Sequence, residues 1–218
     1  MRKTSYVVAF FAVIGTLVLN VISIQRPDWL VVNNPEVLRS KTTVRYGLTQ
    51  RCERQVIIIP GLPDGSKLAY TDYKCRPFPN RVTDRCEKEE KAFCMTWSTA
   101  SYLSVLGAGF AVVSCLAILF GVSTHSRRRR IWRAVAGLTA LHVAFQIAAF
   151  SVVTYLYSNS RFPTFERARP GMWPAYILNI LSWIFGIIVT IGILTTGISA
   201  SKGHRWAAGN RAYQPIQG

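Results

Sequence analysis

The chain has 218 residues, half of them apolar, and a formal net charge of +16. Only 17% of its residues are charged, against roughly a quarter in soluble domains, and its apolar residues gather in long runs, which excludes an ordinary soluble globule. The basic excess has no nucleic-acid-binding motif or aromatic platform beside it, so no nucleic-acid partner is expected.

Residues 1–5 carry Arg2 and Lys3 and lead into the first apolar run, Tyr6–Ile24. That run is long and no Ala-x-Ala-like site follows it, so it is read as an uncleaved anchor rather than a signal peptide. Three further runs follow, Tyr102–Val122, Ala134–Tyr157 and Trp173–Ala200, and none of the four contains Asp, Glu, Lys or Arg. A hydrocarbon core of roughly 30 Å needs about 20 helical residues. Four transmembrane helices are therefore expected, over 6–24, 97–122, 134–157 and 173–200. They leave connections at 25–96, 123–133 and 158–172 and a tail at 201–218.

Basic residues in short segments decide orientation. Arg2 and Lys3, the connection at 123–133 (Arg127, Arg128, Arg129, Arg130 and Arg133), and Lys202, Arg205 and Arg211 in the tail share one side, with no acidic residue among them. All ten acids lie on the other side. Both termini and the Arg127–Arg130 cluster are expected in the cytoplasm, with the connections at 25–96 and 158–172 outside. The cluster is first a topology determinant; contact with anionic lipid headgroups is its second reading.

The outer placement accounts for the thiols. Cys52, Cys75, Cys86 and Cys94 all lie in the first outer connection, where disulfides persist, whereas Cys115 falls inside the second span and reads as a packing residue. In Val44–Cys52 the residues Val44, Tyr46, Leu48 and Cys52 are assigned to one face of a half-buried strand. Gln55–Ile59 and Leu68–Tyr73 are two more expected strands, joined through the turn chemistry of Pro63-Asp64-Gly65. Thr83–Phe93 reads as a short polar helix capped by Thr83 or Asp84. Four cysteines allow three pairings. Cys52 and Cys75 are equidistant from the Pro63-Asp64 turn, so a hairpin folded there places them opposite each other, with Val56 against Thr71 and Ile58 against Ala69 unless a bulge shifts the register. Opposed Cα atoms lie about 4.5–5.5 Å apart, within disulfide range. Cys86 and Cys94 would then form the second bridge. A continuous helix separates residues eight apart by about 12 Å, so the helix must break between them.

Trp29 in "RPDWL", Gly47-Leu48 in "YGLTQRC", and then Cys52 and Cys75 resemble the first-loop motif of the claudin and peripheral myelin protein superfamily, which also has four spans, a β-rich first loop and cytoplasmic termini. Thr49 stands where that motif has a second Trp, Cys86 and Cys94 are an additional pair, and the C-terminal "PIQG" lacks the apolar last residue of a PDZ ligand. These departures point away from tight-junction strands and towards the divergent claudin-like plasma-membrane proteins of fungi, which share a Gly-Leu-x-x-x-Cys-like signature. The resemblance implies a non-enzymatic protein that organises plasma-membrane domains or cell–cell or cell–wall contacts, with other membrane proteins or its own copies as partners. An auxiliary subunit of a channel or transporter is the rival within the superfamily, and a membrane thiol oxidoreductase is a third reading, weakened because no Cys-x-x-Cys is present.

Within the spans, His142 and Gln146 share a helix face and are expected to hydrogen-bond inside the bundle, and no intramembrane carboxylate accompanies them as a proton-coupled transporter would require. Gly107, Ala111 and Cys115 recur every fourth residue, a spacing that lets helix backbones approach closely. Tyr213 and Ile216 match a Tyr-x-x-apolar sorting signal. No grouping of His and Cys has metal-ligand spacing, and no catalytic or phosphate-loop motif is present, so neither enzyme activity nor a cofactor is expected. The expected fold is a four-helix transmembrane bundle with a small disulfide-bonded antiparallel β-sheet in the first outer connection.

Overall fold

A computed structural model of the chain describes residues 3–37, 40–58, 68–70, 72–84, 86–87, 91–123, 125–159, 171–172 and 174–208. Its frame is four long helices: α1 (Lys3–Gln25), α2 (Lys91–Ser123), α3 (His125–Asn159) and α4 (Pro174–Ser201). All four are long and apolar enough to cross a membrane. In hydrocarbon every backbone N–H and C=O must be satisfied within the segment, and an unbroken helix does this. The fold is a four-transmembrane-helix bundle carrying a small sheet.

Between α1 and α2 the chain forms β1 (Leu30–Val37), β2 (Ser40–Tyr46), β3 (Gln50–Ile58), β4 (Leu68–Tyr70) and β5 (Lys74–Pro77). The sheet is antiparallel in the order β4-β3-β2-β1, and β5 also pairs with β3. Next to β1 lies β6 (Gly171–Met172), which comes from the connection between α3 and α4. A short helix, α5 (Arg205–Ala208), follows α4.

Two local readings of the sequence are corrected. Val44–Cys52 is not one strand. β2 ends at Tyr46, residues 47–49 turn, and β3 returns from Gln50. Tyr46 therefore opposes Arg51, and Arg45 opposes Cys52. Opposed residues share a face, so Cys52 lies on the side away from Val44 and Tyr46, contrary to the expected parity. A three-residue turn resets the alternation that an uninterrupted strand would keep. Among the described residues of the expected helix over Thr83–Phe93, only those from Lys91 onward are helical. Residues 81–84 form turns, and the helix begins at Lys91 as the start of α2, six residues before the expected span. Asp84 is not a helix cap but an ion-pair partner.

Cys52 opposes Cys75 and is bonded to it, with Cα atoms 4.0 Å apart. The same register puts Gln50 against Pro77, but farther along the strand Val56 meets Tyr70 and Ile57 meets Ala69, a slip of one. The Pro63-Asp64-Gly65 turn lies outside the described residues. Cys86, in a turn, is bonded to Cys94 in the first turn of α2, with Cα atoms 5.7 Å apart, so the two cysteines do not share one continuous helix.

The chain divides into two compact units, to each of which all four long helices contribute. One comprises Met1–Asn20, Val105–Ile147 and Ile180–Gly218. Its core holds Tyr6, Val13, Ala111, Ile118, Trp132, Val135, Ala136 and Ile193. A Cβ added at Gly197 would strike the Trp132 ring, and one at Gly186 would lie 2.6 Å from Cγ2 of Val143. Small residues at these crossings let the helices close. The other unit, Val21–Ser104 with Ala148–Asn179, contains the sheet.

Candidate functional site: the sheet platform

Within the sheet-bearing unit the residues of the first-connection motif converge. Trp29, Tyr46 and Leu48 are fully buried. The Trp29 backbone N–H donates to the Tyr46 carbonyl at 3.0 Å, and its indole N–H donates to the Ser23 carbonyl at the end of α1 at 2.7 Å. Ser23 in turn donates its hydroxyl to the Ala175 carbonyl in α4. The Trp29 and Tyr176 rings pack edge to face, their centroids 6.1 Å apart. Gly47 closes the β2–β3 turn by donating to the Gln50 carbonyl at 2.8 Å. A Cβ there would lie 2.7 Å from Cα of Pro27 and 2.8 Å from the Arg26 carbonyl oxygen, so only glycine fits this approach of turn to backbone.

Trp97, which the motif reading missed, fastens the same turn from α2. Its indole N–H donates to the Gly47 carbonyl at 3.2 Å, and its ring packs with Tyr46, Phe78 and Phe93. Edge-to-face and stacked aromatic pairs of this kind are worth about 0.5–1.5 kcal/mol beyond their area. The available signal was an indole in the polar flank of a span, where aromatic side chains anchor at the membrane interface.

The charged end of the sheet is built around Asp84, which is 5% exposed. Arg76 donates to both of its carboxylate oxygens, Arg51 approaches at 3.2 Å, and the Asn80 backbone N–H donates at 2.8 Å. Burial alone would raise the Asp84 pKa. The hydrogen bonds from Arg76 and Asn80, with the charges of Arg76 and Arg51, outweigh it and hold the carboxyl below the usual range. Arg51, itself 5% exposed, also pairs with Glu53 at 2.8 Å and lies over the Tyr46 ring. On the opposite face Arg45 and Arg54 flank the Tyr73 ring at 4.3 and 5.4 Å. Four kinds of clasp thus hold the platform: two disulfides, two indole N–H bonds, an aromatic cluster and a buried ion network.

The membrane-buried candidates lie in the other unit. His142 and Gln146 are 2% and 0% exposed. His142 Nδ1 is 2.9 Å from the Gly107 carbonyl, and a carbonyl only accepts, so the proton sits on Nδ1. Gly107 faces Gln146 so closely that an added Cβ would strike its amide. Ala111 is fully buried and Cys115 partly so. This brings Gly107, His142 and Gln146 together as one α2–α3 contact. Arg127–Arg130 lie on the first turns of α3, with side chains outside the described residues. Tyr213 and Ile216 are outside them too. No family model matches the chain, and no curated protein matches it.

Proposed function

We propose that the protein is a non-enzymatic, claudin-like plasma-membrane protein whose outward-facing sheet organises membrane domains or contacts with a neighbouring cell or wall. The observation that carries this reading is the pairing of β6 with β1, which joins the two connections on one side of the bundle in a single sheet. A surface assembled from both connections and held by two disulfides is ordered before any partner arrives, and preorganisation lowers the entropic cost of binding. Orientation follows from charge: the side bearing the termini has only bases in its short segments, while all ten acids lie on the sheet side. Through Arg127–Arg130 the cytoplasmic face contacts anionic lipid headgroups.

Imaging of a tagged copy in living cells, followed by proximity crosslinking, tests this. Self-associated patches at the plasma membrane support the proposal. Recovery in a stoichiometric complex with a channel or transporter, without patches, replaces it with the auxiliary-subunit reading.

A further inference from the structure

The Cys52–Cys75 bridge has one sheltered end and one open end. Cys52 lies on β3, with Arg45 of β2 opposite it on one side and Cys75 of β5 on the other, and it is 1% exposed. Cys75 lies on β5, which pairs with β3 alone among the described strands, and it is exposed. The contrast follows from position, because an inner strand has neighbours on both sides and an edge strand has an open flank. In the second bridge Cys94 is buried and Cys86 is half-buried.

This asymmetry gives thiol exchange a direction. A thiolate attacks one sulfur of a disulfide and expels the other, and access decides which sulfur is attacked. Here the open end is Cys75 and the leaving thiol is that of Cys52. We propose that Cys75 is a reversible S-thiolation site for small extracellular thiols such as glutathione, with Cys52 as the thiol that restores the bridge. The site rests on the proposed outward placement of the sheet, where disulfides persist. In the forward step the incoming thiolate forms a new S–S bond to Cys75 and the Cys52–Cys75 bond breaks. Cys52 leaves with the electron pair and takes up the proton that the small thiol gave up, so one disulfide replaces another with no net oxidation. Reversal is built into the strand pairing. The Gln50–Pro77, Arg51–Arg76 and Glu53–Lys74 pairs and the Arg76–Asp84 ion pair hold β5 beside β3 without the bridge. Cys52 then stays opposite Cys75 and expels the small thiol, because a tethered nucleophile acts at a high effective concentration.

The test uses the oxidised full chain in mild detergent and does not depend on membrane orientation, so it fails separately from the proposed function. The protein is incubated with reduced glutathione, quenched in acid and mapped by mass spectrometry, with tryptophan emission reporting the native fold. Adduct on Cys75 should exceed that on Cys52 by about tenfold or more while the emission stays native. When glutathione is withdrawn the bridge should re-form. In Cys52→Ser, loaded with oxidised glutathione, the adduct should last about tenfold longer or more. Cys75→Ser should leave Cys52 unmodified until the fold is lost. Adducts that are absent, shared evenly between Cys52 and Cys75, or formed only as native emission is lost overturn the site. Equal adduct lifetimes in wild type and Cys52→Ser overturn the role of Cys52.

Discussion

Replacing Asp84 with Asn removes a carboxylate shared by two guanidinium groups, those of Arg51 and Arg76. Asp84 and Arg51 have side chains 2% and 6% exposed, and Arg76 is 30% exposed. Breaking a buried ion pair by deleting one partner costs about 3–5 kcal/mol, because the remaining charge is left uncompensated. Here the cost falls to the bottom of that range or just below it, because Arg51 keeps Glu53 at 2.8 Å and Arg76 reaches solvent. The expected loss is about 2–3 kcal/mol, read as a lower denaturant midpoint at unchanged slope in nanodiscs, with tryptophan emission as the probe. The pH dependence has a definite sign. The folded-state pKa of Asp84 is depressed, so its contribution is complete above the unfolded value near 4 and is lost as pH falls through the lower, folded one. The gap between wild type and Asp84→Asn should be constant above about pH 5 and should shrink below about pH 4. A loss under about 0.5 kcal/mol, or a gap undiminished at pH 3, would refute the network as a stabilising clasp.

Gly47→Ala should cost about 3 kcal/mol, the upper end for overpacking, because the new methyl meets backbone that cannot swing aside; the same denaturation measurement reads it, and a neutral result denies the close approach at Pro27. Replacing Cys52 and Cys75 by Ser should cost about 3.5 kcal/mol in the chain-entropy model and replacing Cys86 and Cys94 about 2.5, given separations of 23 and 8 residues; non-reducing peptide maps with a Cys52–Cys86 or Cys52–Cys94 fragment would contradict both pairings. Exchanging Arg127–Arg130 for Gln should weaken or mix membrane orientation, seen as altered protease protection of the tail, whereas unchanged protection would leave lipid contact as the cluster's task.

The spans were legible because absence of charge over twenty residues is a long signal with one physical cause. The Cys52–Cys75 pair was legible because antiparallel pairing about a turn is arithmetic. The reversal at residues 47–49 was hidden: Leu48 prolongs the apolar alternation of Val44 and Tyr46, and one glycine marks the turn instead of an Asn-Gly or Asp-Gly pair. Strand β6 has two residues and exists only through its partner β1, a long-range contact that periodicity cannot show. Thr83–Phe93 has the polar composition and the capping residues of a short helix. Asp84 belongs to Arg51 and Arg76 on strands β3 and β5, and tertiary pairing overrides such local patterns.

The central claim is that the sheet is displayed outward and engages a partner. A photo-crosslinking residue placed at exposed Thr49, in the β2–β3 turn, tests this in intact cells. Discrete adducts with a second copy, another membrane protein or a wall component are predicted, all accessible to a membrane-impermeant label. Adducts with cytoplasmic proteins alone, or none while an equivalent probe in the tail crosslinks freely, would contradict it.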